Sequence, residues 1–143
     1  MDKLALKTAN AMIDAVFVKS KILFAQPSAV VILDEGGHVI ALQRQDHAAL
    51  LRADIAYAKA YGALGMGVGS RGLAKKAKET PDFINGAITV SKGRLIPAPG
   101  GVLILNSKHR IIGAIGVSGD SSDNDERAAI FGIKSVNLTP KVD

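Results

Sequence analysis

The chain has 143 residues, of which 48% are hydrophobic and 22% charged, a composition typical of one globular domain spanning 1–143. It contains no cysteine, so disulfides, a cysteine nucleophile and thiolate metal ligands are excluded. The formal net charge is +5, but the chain offers only four phenylalanines, two tyrosines and no tryptophan to stack on bases, and we expect no nucleic-acid partner.

The first half of the chain alternates between helical and extended patterns. Apolar residues recur at helical spacing over residues 4–20 and predict a first helix. The apolar runs 29–33 and 38–42 predict two strands, and the Asp-Glu-Gly-Gly segment at 34–37 supplies the turn of a hairpin between them. An alanine-rich segment at 49–64 predicts a second helix.

The second half is predicted to begin with a helix and to continue with strands. A basic segment at 73–78 predicts a short helix, which is expected to stop at Pro81. Three further strands are expected, at residues 94–97, 101–106 and 111–117. A terminal helix is expected from the Ser-Ser-Asp cluster at 121–123 to about residue 135, since side-chain oxygens can cap its start. Because strands and helices do not alternate regularly, the predicted fold class is α+β, one antiparallel sheet with helices against it.

The N-terminal residues do not resemble a secretion signal, because acids and bases alternate over residues 1–7 and the following apolar residues are spaced helically. The longest apolar runs, such as residues 102–105, are too short to cross a bilayer. We therefore expect a cytoplasmic protein without a membrane partner.

The three histidines show no spacing typical of a metal site. His109 lies in a predicted turn and is expected to be solvated. His38 opens a predicted strand, and His47 lies in a predicted loop beside charged residues. Either imidazole is suited to ligate heme iron or to act as a general base near neutral pH, and a solvated loop histidine is the competing interpretation.

Lys59 is surrounded by alanines on an otherwise apolar predicted helix. An unpaired buried ammonium is costly, so a lysine in this position is expected to be paired or functional. Two interpretations remain open: an internal ion pair with Asp46 or Asp54, or a contact with an anionic ligand.

Two glycine-containing segments are candidates for close backbone approach. Gly100 and Gly101 follow two prolines and lead into a predicted strand, where a ligand or a neighbouring subunit could contact the backbone. Ser118 ends another predicted strand beside Gly119, which leaves backbone amides open to an anion. A tight strand-to-helix turn is the alternative for Ser118.

Together these segments resemble the GlcG/HbpS family, a group of heme-binding or heme-degrading proteins. The resemblance runs in order over about residues 4–133, and the Gly-Ala-Ile-Gly-Val-Ser-Gly string within its last segment is the most specific part. Five segments carry it: 31–39, 44–46, 58–60, 99–102 and 111–119.

The resemblance implies a profilin-like, roughly five-stranded antiparallel sheet flanked by helices, in a chain that forms a symmetric homo-oligomer. It also implies an acid at Asp125, at the start of the last helix. Two residues depart from the family pattern: His47 stands where a small or polar residue is common, and Asp120 where glycine is frequent. The first helix contains no histidine, although some heme-binding relatives are thought to use one there.

The first functional hypothesis is a homo-oligomeric protein that binds heme or a similar planar anionic cofactor. Arg44 and Lys59, with Arg71 as a further candidate, would meet its carboxylates. His38 or His47 would be available to the iron, with His47 the assigned metal ligand. Backbone contacts would come from Gly100, Gly101 and Ser118.

The second hypothesis is a small cofactor-independent enzyme of a catabolic pathway that acts on a small organic acid. In that version Lys59 or Arg44 binds the carboxylate, while His47 and Asp46 move protons. A third hypothesis makes the chain an assembly partner whose glycine-rich segments are only subunit contacts.

Overall fold

The computed structural model describes residues 2–143, which form five helices and five strands. The helices are α1 (Leu6–Ile22), α2 (Arg52–Met66), α3 (Ser70–Glu79), α4 (Pro81–Val90) and α5 (Ser122–Ser135). The strands are β1 (Ala29–Asp34), β2 (Val39–Arg44), β3 (Gly101–Leu105), β4 (Ile111–Ser118) and β5 (Thr139–Lys141).

The five strands form one sheet in the order β2-β1-β4-β3-β5, and every neighbouring pair is antiparallel. The prediction of an α+β fold with a five-stranded antiparallel sheet flanked by helices is therefore confirmed. Ala29 of β1 pairs with Arg44 on one side and with Ser118 on the other, so these two candidate residues lie at the same end of the sheet.

One predicted strand is wrong, and one helix was missed. Residues 94–97 form no strand, because Leu95 packs into a small cluster with Leu73 and Ile84 instead of joining a ladder. The fifth strand is β5, close to the last residue. The basic helix stops before Pro81 as expected, since α3 ends at Glu79, but Pro81 then starts α4, because proline suits the first turn of a helix, where its missing N–H is not needed.

The sheet separates two apolar layers. One face carries α1 and α5, whose buried residues meet Val30, Ile32 and Ile115 of the central strands. The other face carries α2, whose alanines pack against Val31 and Leu103. Short side chains let α2 lie close to the sheet, and this places the middle of α2 over the ends of β3 and β4.

The hairpin of α3 and α4 projects from the α2 side of the molecule and has its own small apolar cluster. On α4, Phe83 is 60% exposed and Val90 is 83% exposed. Within residues 2–143, no helix has both the length and the apolar character needed to cross a bilayer.

Candidate functional site

Lys59 forms a buried ion pair with Asp125. Its Nζ lies 3.2 Å from Asp125 Oδ2 and donates a hydrogen bond to the Val117 carbonyl oxygen at 3.0 Å. The two side chains are only 4% and 3% exposed. Burial lowers the pKa of Lys59, and the negative charge of Asp125 opposes that shift. The partner is thus Asp125, and not Asp46 or Asp54 as expected, because the buried face of α2 turns Lys59 toward the end of β4.

Asp125 also organises the loop that follows β4. Its Oδ2 accepts a hydrogen bond from the Gly119 amide at 3.3 Å, and its Oδ1 accepts one from the Asp120 amide at 3.0 Å. Burial raises the pKa of Asp125, and Lys59 opposes that shift. The carboxylate therefore joins α2, the β4–α5 loop and the first turn of α5. The family resemblance implied an acid at this position but not its pairing with Lys59.

The other predicted residues near Lys59 contact protein groups. Ser118 is fully buried, and its Oγ accepts a hydrogen bond from Arg52 Nη1 at 3.1 Å. Gly100 has φ +126°, and a side chain at Gly101 would collide with the Lys59 carbonyl group. The Gly101 amide donates to Ser70 Oγ at 2.7 Å. The structure thus brings four predicted residues into one group, which we call the Lys59 cluster: Lys59, Gly100, Gly101 and Ser118.

Arg44 and Asp46 lie elsewhere, on a cleft of about 780 Å³ between α1 and β2. We call it the α1–β2 cleft. Polar and apolar side chains share its walls, and Asp14 and Lys21 of α1 lie seven residues, or about two helical turns, apart. Eleven residues line the cleft: Asp14, Phe17, Val18, Ser20, Lys21, Ala25, Pro27, Gln43, Arg44, Gln45 and Asp46.

The four charged side chains of the α1–β2 cleft are available to a ligand. Among residues 2–143, neither Lys21 nor Arg44 forms an ion pair with a protein carboxylate, and Asp14 and Asp46 pair with no cation. The two cations of the cleft are therefore not held in ion pairs, although two carboxylates line the same cleft. The sequence analysis identified Arg44 and Asp46 but missed the two residues of α1, whose helical polar face was the available signal.

The histidines occupy three separate places. His47 is exposed in the turn between β2 and α2, next in the chain to Asp46, and has φ +69°. His38 lines a second, smaller cavity of about 320 Å³ together with Asp34 and Glu35. His109 is exposed in the turn between β3 and β4. Within residues 2–143, no three or more histidine and carboxylate side chains gather in a metal-binding arrangement.

Known proteins share this chain's sequence pattern and fold. Residues 4–134 match the family described as Haem degrading protein HbpS-like. A relative from Citrobacter freundii, an uncharacterized 15.0 kDa protein in the dhaT-dhaS intergenic region, is 31% identical over 127 residues. The alignment covers 88% of this chain and 87% of that relative.

Three solved structures have the same fold. The PduOC:heme complex superposes with a TM-score of 0.85 at 23% identity, over 95% of this chain and 96% of that one. The Klebsiella pneumoniae protein ORFY gives a TM-score of 0.85 at 25% identity, over 96% and 92%. A double mutant of HbpS from Streptomyces reticuli gives 0.79 at 24% identity, over 94% and 88%.

Proposed function

The chain belongs to the family described as Haem degrading protein HbpS-like, and from that premise we propose that it binds heme in the α1–β2 cleft. The observation that carries the proposal is an open cleft of about 780 Å³ with two cations, Lys21 and Arg44, neither of which forms an ion pair within residues 2–143. Cofactor sites usually occupy about 300–1,000 Å³ and combine apolar walls with a few polar groups. A relative with the same fold, PduOC, forms a complex with heme.

The cleft suits the two parts of the heme molecule. Phe17, Val18 and Pro27 offer apolar surface to the macrocycle. Lys21 and Arg44 would hold the two carboxylates, since hydrogen bonds between an ionised donor and an ionised acceptor are stronger than neutral ones. The acids Asp14 and Asp46 line the same cleft and offset part of this positive charge.

The iron ligand is expected to come from outside the lining of the cleft. Its eleven residues include no histidine, cysteine, methionine or tyrosine, the side chains that usually ligate heme iron. His47 is the candidate ligand, because it follows Asp46 directly in the chain and its imidazole is exposed. When bound, heme iron supplies one-electron and oxygen chemistry, which the degradation named in the family description would require.

Titration of the purified protein with hemin, followed by its Soret absorption, tests the proposal. A parallel titration with metal-free protoporphyrin IX, followed by fluorescence, separates macrocycle binding from iron ligation. We expect both to bind at one site per chain. The proposal is wrong if neither titration saturates. Calorimetric binding of a small organic acid without hemin binding would instead favour the cofactor-independent enzyme, in which Arg44, Asp46 and His47 act on that acid.

Heme degradation is tested on the loaded protein. Hydrogen peroxide is added in the presence and absence of a reductant, and the Soret band is followed against free hemin at the same concentration. Loss of the band with release of iron, faster than in free hemin, supports degradation. A stable band supports binding alone.

A homo-oligomer is part of the same proposal. Several large apolar side chains are exposed, and the most exposed among residues 2–143 are Phe24 at 94% and Val90 at 83%. Burial of such side chains against a second copy would be favourable, by about 1.5–3 kcal/mol for a fully buried large side chain. Light scattering should give a mass of at least twice 14.9 kDa, and a monomer at micromolar concentration would contradict this part.

A further inference from the structure

Asp120 connects two loops that lie far apart in the sequence. Its Oδ1 accepts a hydrogen bond from the backbone amide of Gln26 at 3.0 Å, and its Oδ2 accepts one from Asn124 Nδ2 at 2.8 Å. Gln26 belongs to the α1–β1 loop, and Asn124 lies in the first turn of α5. One carboxylate therefore joins the start of α5 to the loop that enters the sheet.

The α1–β1 loop is a wall of the α1–β2 cleft. Ala25 and Pro27, the two neighbours of Gln26, both line the cleft. Phe24 precedes them with φ +53°, a left-handed backbone conformation that is unfavourable for a residue other than glycine. The Phe24 and Ala25 amides donate hydrogen bonds back to the last turn of α1, whereas the Gln26 amide donates outside the loop, to Asp120.

The other end of this connection is bonded to the buried ion pair. The Asp120 amide donates to Asp125 Oδ1, and Asp125 is held by Lys59 in the buried ion pair. The Asp120 side chain is thus fixed to the core on one side and holds the cleft wall on the other. The Gln26 hydrogen bond is also the main reason that the pKa of Asp120 lies below its ordinary value, so the carboxylate stays ionised near neutral pH.

We propose that Asp120 is a positioning residue for the α1–β2 cleft: it touches no ligand itself but holds Gln26, and with it Ala25 and Pro27, in the conformation that binds the macrocycle. The inference rests on the proposed heme binding for its effect on affinity, while its effect on the loop is independent of any ligand.

The test compares Asp120→Ala with two matched variants. Asn124→Ala removes the side-chain partner of the carboxylate and leaves the Gln26 hydrogen bond in place. Asp123→Ala removes a neighbouring acid of the same helix turn, whose partner is Arg71 on α3. A fourth variant, Asp120→Asn, keeps an oxygen that can accept from Gln26. Each variant is examined without ligand by amide hydrogen exchange at Gln26, and then by hemin titration.

In Asp120→Ala we expect exchange at Gln26 to accelerate and hemin affinity to fall by about tenfold, the factor that corresponds to losing one hydrogen bond to a charged group. Asp123→Ala and Asn124→Ala should leave both quantities close to wild type, and Asp120→Asn should restore most of them. A merely structural role would lower the urea midpoint and leave the hemin affinity of the folded protein unchanged.

Two results overturn the inference. Unchanged exchange at Gln26 in Asp120→Ala shows that the carboxylate does not hold the loop. Faster exchange with unchanged hemin affinity shows that the loop does not shape the site. If the wild-type protein binds no hemin, the proposed function is wrong and no effect of Asp120 on hemin affinity exists. The exchange rate at Gln26 still decides whether Asp120 holds the cleft wall.

Discussion

Lys59 and Asp125 are 66 residues apart in the chain, and their side chains meet in the interior at 3.2 Å. The pair joins the middle of α2 to the first turn of α5, and the Val117 carbonyl oxygen and the Gly119 and Asp120 amides complete the hydrogen bonds of both groups. Every buried side-chain nitrogen and oxygen of residues 2–143 has such a partner. The two charges are therefore tolerated in the core because each compensates the other. If one side chain is removed, the remaining charge is buried without a counter-charge.

Replacement of Lys59 by methionine should destabilise the fold by roughly 3–5 kcal/mol, because Asp125 would remain buried without its counter-charge. The loss should shrink as the pH falls toward 4, since Asp125, whose pKa burial already raises, can then be protonated in the folded protein. Urea unfolding at several pH values measures both effects. The control is Lys78→Met at an exposed position, which should change the free energy of unfolding by less than about 0.5 kcal/mol.

A Lys59→Met variant as stable as Lys78→Met would show that the buried pair contributes nothing to the fold. If hemin binding were abolished in that stable variant, Lys59 would be a ligand-binding residue, as the sequence analysis allowed.

Two glycine-to-alanine substitutions should have opposite effects. At Gly101 a methyl group would overlap the Lys59 carbonyl group, which is backbone and cannot rotate away, so we expect a loss of about 1–3 kcal/mol or more. At Gly86, inside α4, a methyl group meets no atom within 4 Å. Alanine there should stabilise the protein by about 0.5–1 kcal/mol through its helix propensity. Thermal unfolding of both variants measures the contrast, and equal midpoints would contradict the close approach of α2 to β3.

Local patterns predicted most of the elements, and two of the four strand pairs are hairpins between neighbouring segments. The β1–β2 and β3–β4 hairpins each join neighbouring segments through a short turn, and sequence periodicity shows both. Strand β5 has three residues, one of them Pro140, and pairs with β3 more than thirty positions earlier. Neither its length nor its composition distinguishes it from a tail, so only the packed structure reveals it.

The candidate site was predictable only in part for the same reason. The alanines around Lys59 indicated burial, but the choice of Asp125 over Asp46 depends on the direction in which α2 crosses the sheet. Arg44 and Asp46 were identified from one segment, whereas the opposite wall of their cleft comes from α1. Which helix lies beside an edge strand is a tertiary property that local spacing does not encode.

The ionisation of Asp120 predicts a change of stability in acid. Hydrogen bonds from Gln26 and Asn124 lower the pKa of its carboxyl group in the folded protein relative to the unfolded chain. A group with a depressed pKa contributes stability above its unfolded pKa, about 3.9, and that contribution is lost as the pH falls through the folded value. Asp120→Asn should therefore flatten the dependence of the free energy of unfolding on pH below about 4. An unchanged acid limb would contradict this assignment.

Arg44 is expected to contribute directly to heme affinity. Arg44→Glu replaces a cation of the α1–β2 cleft by an anion, and loss of a charge-assisted hydrogen bond should weaken hemin and protoporphyrin IX alike by about 10- to 100-fold. Arg110→Glu makes the same change of charge in the exposed turn between β3 and β4, and should leave both affinities near wild type. Equal weakening in the two variants would show that net charge, and not the cleft, attracts the ligand.

His47 allows a substitution that removes the imidazole without cost to the fold. Its φ of +69° lies in the left-handed region, which glycine adopts without the penalty of about 1–2 kcal/mol that other residues incur. His47→Gly should therefore leave the free energy of unfolding unchanged or slightly higher. If the imidazole ligates the iron, the Soret maximum of bound hemin should shift in this variant, while protoporphyrin IX, which has no iron to ligate, should bind as before.

His109→Gly is the matched control, because His109 has φ +57° and is also exposed, but lies in the turn between β3 and β4. It should leave the hemin spectrum unchanged. A hemin spectrum identical in wild type and His47→Gly would remove His47 as the ligand. His38, the remaining histidine, lines the smaller cavity beside Asp34 and Glu35. A spectral shift in His38→Ala alone would therefore indicate that heme binds in that cavity and not in the α1–β2 cleft.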